Sequence, residues 1–116
     1  MPAYIVSMDE TGIRNMAVKA IREELAAYRS GATRILLFGS RARGQGTAES
    51  DWDFMAVTQR ALTREEKTRV KLAVRRRMAE QLVPVDLIIK DEATFKRQVD
   101  NVGLITYYAS RDGIAV

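Results

Sequence analysis

Phe38-Gly39-Ser40-Arg41-Ala42-Arg43-Gly44 and, after five further residues, Ser50-Asp51-Trp52-Asp53-Phe54-Met55-Ala56-Val57 decide how this chain is read. The first stretch closes a short apolar run, Arg34-Ile35-Leu36-Leu37-Phe38, whose length and flanks suit a buried strand. A strand that ends in Gly-Ser and turns into a short helix presents backbone N–H groups and a serine hydroxyl to a phosphate. Gly39 lets the backbone approach closely because no Cβ stands in the way. Arg41 and Arg43 can add charge-assisted bonds to phosphate oxygens. Alone, the segment reads equally well as a plain strand-helix connection.

The second stretch changes that balance. Read as a strand, it turns Trp52, Phe54 and Ala56 to one side and Asp51, Asp53, Met55 and Val57 to the other. Two aspartates at i and i+2 then bring like charges together in a setting that disfavours aspartate. A divalent cation between them relieves the repulsion, whereas an exposed turn is the alternative, against which Trp52 and Phe54 argue. Further along, Val85-Asp86-Leu87-Ile88-Ile89 is a third apolar strand interrupted by one carboxylate. Burying that group without a partner or a metal is costly, although Asp86 on its own also reads as a surface residue of an edge strand. If the two strands are neighbours, three carboxylates converge. Such a cluster can hold two magnesium ions roughly 4 Å apart, the arrangement of in-line phosphoryl and nucleotidyl transfer.

Composition narrows the chemistry. The 116 residues contain no cysteine and no histidine, which excludes thiolate nucleophiles, disulfides, Cys-type zinc sites and serine-histidine triads. Carboxylate, lysine, arginine and tyrosine chemistry remains, and carboxylates favour hard cations such as magnesium. Nineteen basic residues against 15 acidic give a formal charge of +4. This reads either as ordinary solvated surface or as a surface that attracts phosphates or an acidic partner. The run Arg75-Arg76-Arg77 has no aromatics beside it, so direct nucleic-acid binding is not expected. No apolar run suffices for a membrane span, and no leader pattern opens the chain, so a soluble cytoplasmic protein is expected.

The remaining elements follow from periodicity and caps. Asp9 to Tyr28 reads as an amphipathic helix with Ile13, Ala17, Ile21, Leu25 and Tyr28 on one face, ended near Gly31. A second helix is expected from about Thr63 to Leu82, opened by a Thr63–Glu66 capping box and stopped by Pro84. Val70, Val74 and Met78 form its apolar stripe. Asp91 caps a helix to about Val99, another runs from about Val102 to Ser110, and Arg111-Asp112-Gly113 reads as a turn. Ile114-Ala115-Val116 is a last short strand or a docked tail. The whole, residues 1–116, reads as one α/β (α+β) domain: a small mixed sheet with flanking helices.

Gly39-Ser40-x-Ala42-Arg43-Gly44, five residues, then Ser50-Asp51-x-Asp53 resembles the motif of the DNA polymerase beta-type nucleotidyltransferase superfamily. The likeness is nearest to its small stand-alone members, the minimal nucleotidyltransferases. Val85-Asp86-Leu87 matches the position of that family's third carboxylate, and Ala109-x-Arg111-Asp112-Gly113-Ile114 resembles the family's ending. The resemblance implies a nucleotidyltransferase fold with ATP as substrate and a two-ion magnesium site. Asp51, Asp53 and Asp86 would be metal ligands and catalytic groups, with Asp86 activating the acceptor hydroxyl. Gly39 and Ser40 would form the triphosphate-binding turn, with Arg43 in support and Ser50 counted among the nucleotide-binding residues.

Proteins of this kind often pair with a HEPN-domain toxin, and the resemblance implies transfer of AMP to a tyrosine hydroxyl of that partner. A chain of this size has little bulk for an acceptor pocket of its own, which suits an acceptor on a second chain. Two alternatives stand beside this reading: an antitoxin that neutralises its partner by binding alone, and a small-molecule nucleotidyltransferase of the aminoglycoside type.

Overall fold

Capping residues set where the chain turns helical. The computed structural model describes residues 9–47 and 49–116, so Ala48 in the loop between the two decisive stretches lies outside the described residues. In chain order the elements are α1 (Glu10–Ala26), β1 (Ala32–Phe38), α2 (Gly39–Ala42), β2 (Trp52–Thr58), α3 (Arg64–Ala79), β3 (Val85–Asp91), α4 (Glu92–Gln98), α5 (Ile105–Asp112) and β4 (Ile114–Ala115). Asp9 opens α1 by accepting the Gly12 N–H at 2.8 Å, and Asp91 opens α4 by accepting the Thr94 N–H at 3.1 Å. The expected capping box of α3 is complete. Thr63 Oγ1 accepts the Glu66 N–H at 3.1 Å, and Glu66 Oε1 accepts the Thr63 N–H at 2.9 Å.

The sheet has four strands in the order β3-β2-β1-β4. β1 runs antiparallel to both β2 and β4, while β2 and β3 are parallel. The sheet is therefore mixed, as expected. Period-two alternation divides the core into two layers. Trp52, Phe54, Ala56, Val85, Leu87 and Ile89 face α1 and α3, where Ala17, Ile21, Leu25, Val70, Val74 and Met78 meet them. Met55, Val57 and Leu36 face the other way and are covered by Phe95 of α4 and Ala109 of α5. An ion pair joins α1 to α3 above the first layer, with Arg77 bonded to Glu23 at 2.7 Å and to Glu24 at 3.1 Å.

Several boundaries depart from the sequence expectation. β2 begins at Trp52 rather than Ser50, so Asp51 precedes the strand. α3 ends at Ala79, well before Pro84. A left-handed residue stops it: Leu82 has φ 59°, its N–H bonds to Ala79 O at 2.9 Å, and the Val83 N–H bonds to Met78 O at 3.0 Å. That pair of bonds is a Schellman closure, which spends the free carbonyls of the last turn. α5 starts at Ile105, not Val102, and takes in Arg111 and Asp112, which were expected to turn. Gly113 ends it, because a Cβ there would run into Ala109 O. The final residues form the expected strand: Ile114 and Ala115 pair with Leu37 and Leu36, and the Val116 N–H reaches Ile35 O at 3.0 Å.

Thr63→Ala removes the hydroxyl half of the α3 capping box while keeping the backbone N–H that donates to Glu66, and is expected to lower stability by about 1 kcal/mol. Urea unfolding checks this through a lower midpoint at unchanged slope; an unchanged midpoint would show that the cap contributes nothing.

Candidate active site

The parallel pairing of β2 with β3 sets Asp53 opposite Asp86. On the same strands Phe54 lies opposite Leu87, and Met55 opposite Ile88. Because Phe54 and Leu87 share the α1/α3 layer, parity turns Asp53 and Asp86 together onto the opposite face. Two carboxylates thus stand side by side at the start of both strands. Asp51 lies two residues upstream of Asp53, exposed like Asp86, while Asp53 is half-buried. Burial is the main reason the Asp53 carboxyl is held above its ordinary pKa; Asp86 and then Asp51 push it up further, and Arg43 opposes them. The three acidic groups are close enough to act on one another. As they stand, no three acidic side chains among the described residues are gathered tightly enough to hold a metal ion. Mutual repulsion of like charges works against closer approach.

The turn after β1 is built around Asp53. Gly39 has φ 76°, a region that side-chain-bearing residues rarely occupy. A Cβ on Gly39 would collide with Asp53 Oδ2 and stand 3.2 Å from its Cγ. The glycine is therefore needed twice, for its backbone angle and for the room it leaves the carboxylate. No side chain caps α2, which leaves its leading N–H groups for an acceptor from outside the chain. Ser40 lies in that first turn, half-buried, and Arg43 follows it, exposed, with its Nε donating to Gln45 Oε1 at 3.2 Å.

Arg41 goes elsewhere, and this corrects its expected phosphate role. Its side chain is only 8% exposed and lies 4.6 Å from the centre of the Trp52 ring. It donates to Ser50 O at 3.2 Å and pairs with Glu10 at 3.5 Å. The cation on the indole, itself buried, ties the β1–β2 loop to the start of β2. Gly46 leaves room for this arginine, since a Cβ there would lie 2.7 Å from Arg41 Cδ. The Ser50 hydroxyl accepts the Thr47 N–H at 2.9 Å, so it braces the same loop just before Asp51. By residue type alone Arg41 and Arg43 look alike; the motif resemblance singles out Arg43, and the placement of Trp52 shows where Arg41 goes instead.

Beside the carboxylates lies a hollow of about 670 Å³, whose lining includes Asp51, Asp86, Arg75, Ala79, Leu82 and Pro84. Sequence reasoning did not include Arg75 or Leu82 in the site. Neither had a signal, because both are fixed there by the early closure of α3.

Residues 19–112 match the family model described as polymerase beta, nucleotidyltransferase. The chain belongs to this nucleotidyltransferase family. The resemblance seen in the Gly39–Asp53 motif is thereby borne out. Among solved structures, a minimal nucleotidyltransferase is similar with a TM-score of 0.61 at 25% identity, covering 96% of this chain and 99% of that one. A toxin-antitoxin structure with AMP-PNP is similar with a TM-score of 0.60 at 19% identity, over 87% of this chain and 69% of that one. A mutant of the toxin-antitoxin MntA-HpeT gives 0.59 at 18% identity with the same coverage. These last two likenesses show the nucleotidyltransferase fold alone. No curated protein matches the chain. Among the described residues no helix is long and apolar enough to cross a membrane.

The raised Asp53 pKa carries a definite sign. A carboxyl with a higher pKa folded than unfolded binds its proton more tightly in the fold, so its charge opposes folding above that pKa and ceases to do so below it. In the presence of a chelator at neutral pH, Asp53→Asn should therefore melt at a higher temperature than the parent. The gap should narrow as the pH falls through the range where Asp53 takes up its proton. A less stable variant at neutral pH would contradict this electrostatic reading.

Proposed function

We propose that the chain is a single nucleotidyltransferase domain that moves AMP from ATP to a tyrosine hydroxyl of a HEPN-type toxin partner and so acts as its antitoxin. The observation that carries the proposal is the side-by-side placement of Asp53 and Asp86, with Asp51 just upstream and Gly39 held against the Asp53 carboxylate. The donor set suits magnesium: three carboxylates, all hard oxygen ligands, sharing one end of the sheet. Half-buried Asp53, destabilised as an anion by two like charges, is the group that gains most from a cation. Asp51, Asp53 and Asp86 would hold two magnesium ions. When bound, these ions supply charge neutralisation at the triphosphate and make the acceptor hydroxyl more acidic.

The chain's own residues do the rest. The uncapped start of α2 at Gly39 and Ser40 offers N–H groups to the triphosphate, and exposed Arg43 adds a cation beside it. Ser50 keeps the loop in place that carries Asp51 into the site. Asp86, exposed at the mouth of the hollow, accepts the proton of the attacking hydroxyl. The hydroxyl oxygen forms a bond to the α-phosphorus as the bond from that phosphorus to the bridging oxygen of the β-phosphate breaks, releasing pyrophosphate. The placement of that hollow at the protein surface suits an acceptor carried by a second chain. Similarity to toxin-antitoxin structures, one of them with AMP-PNP, supports the partner and the nucleotide.

Co-expression with a HEPN-type toxin, followed by intact-mass analysis of that partner, tests the proposal. The partner should gain one or more AMP units. Asp51→Asn and Asp53→Asn should each reduce the transfer by roughly a hundredfold or more and release toxicity. Full neutralisation by the Asp53→Asn chain would instead favour a binding-only antitoxin, and labelling of a small hydroxylated molecule in place of the partner would favour the aminoglycoside-type reading.

A further inference from the structure

α3 closes on a residue whose side chain the core does not use. Leu82 adopts φ 59°, a region in which leucine is strained while glycine or asparagine is not. Its side chain is 91% exposed, so it contributes almost nothing to the core in return. It stands over the hollow that contains Asp51 and Asp86. The same closure ends α1 at Arg29, φ 53°, so the turn itself is a helix cap; what is particular to Leu82 is that its exposed apolar side chain lies at the hollow. An apolar side chain in that position is an anchor for something that enters the hollow.

The charges around the hollow say what enters. Arg75 lines the hollow with Asp51 and Asp86, yet it makes no ion pair with either. Lys71 and Arg64 continue the same flank of α3 at helical spacing, both exposed. Among the described residues neither is paired with a carboxylate. Elsewhere on this helix Arg69 pairs with Glu65 and Arg77 with Glu23 and Glu24, while Lys67 and Arg76 make no ion pair among the described residues and do not line the hollow. The hollow thus holds both signs of charge, two carboxylates and one arginine, and a line of unmatched cations leads away from that arginine along α3.

In-line transfer requires the attacking hydroxyl to approach from the side away from the leaving pyrophosphate. Gly39 and Arg43 stand with Asp53 and do not line the hollow, which opens between Asp51, Asp86 and the end of α3. We infer that the hollow is the docking site for the hydroxyl-bearing segment of the acceptor protein, that Leu82 is its apolar anchor, and that Arg75, Lys71 and Arg64 select a segment carrying acidic residues beside that hydroxyl. This rests on the nucleotidyl-transfer reading for the identity of the reaction, but not for the docking itself. These charges orient the segment: its acidic flank lies along α3, and its hydroxyl is left at the carboxylates.

The test uses fluorescent tyrosine peptides flanked by glutamate or by lysine, with the full chain, ATP and magnesium. Binding is read by anisotropy without ATP, and transfer by mass after ATP is added. The acidic peptide should bind more tightly than the basic one. Arg75→Glu should weaken that binding roughly tenfold and improve binding of the basic peptide. Leu82→Asn keeps the left-handed turn comfortable while removing the apolar anchor; it should weaken binding several-fold, raise KM rather than lower kcat, and leave the melting temperature equal or higher. The inference is overturned if the acidic peptide does not bind, if it binds Arg75→Glu and Leu82→Asn as it binds the parent, or if only an RNA oligomer shows the Arg75 dependence. Two outcomes separate the readings: peptide binding by the parent with no transfer would remove the nucleotidyl-transfer assignment and leave the docking standing, whereas intact peptide binding by Asp53→Asn without transfer supports both.

Discussion

Like charges held in register by a sheet cannot move apart without breaking the sheet. Here Asp53 and Asp86 are neighbours because β2 and β3 are parallel with Trp52 beside Val85, and that register is locked by apolar side chains on both faces. Phe54, Leu87, Ala56 and Ile89 bury one side; Met55 and Val57 bury the other. A slip of one residue would turn every one of these groups to the wrong layer. The core thus imposes an electrostatic conflict on the acidic end of the sheet, and the rest of the site is arranged around it.

The surrounding residues keep the conflict in place rather than relieve it. Gly39 yields the space that Asp53 occupies. Arg43 opposes the rise in the Asp53 pKa but does not cancel it. Arg41, the other cation of the turn, is drawn away to the Trp52 ring and the Ser50 carbonyl, so its charge fixes the loop instead of neutralising the carboxylates. What is left is a preorganised demand for positive charge from outside the chain, which is the condition under which a divalent cation and a triphosphate bind together.

Much of this was legible in the residues themselves. The alternation around Asp53 gave the two faces of β2 correctly because both faces pack, and period-two parity survives any error in strand ends. The motif from Gly39 to Asp53 was readable because its glycine and aspartates are required by geometry, not by composition. Other features could not be read. Pro84 looked like the stop of α3, but the left-handed turn at Leu82 comes first, and nothing local marks a leucine for that conformation. For the same reason Arg75 and Leu82 were not foreseen at the hollow. The extent of α5 was missed because Arg111 and Asp112 resemble turn residues, whereas Gly113 alone ends the helix. Arg41 was misjudged because the partner that captures it, Trp52, lies beyond the loop.

The central claim is that the sheet holds Asp53 as a strained anion awaiting a cation. Carboxyl carbon resonances followed by NMR across a pH titration, with and without magnesium, measure this directly. The Asp53 resonance should titrate above the ordinary aspartate range in the metal-free protein and move sharply downward when magnesium is added. An Asp53 that titrates as an ordinary surface aspartate, indifferent to magnesium, would contradict the account.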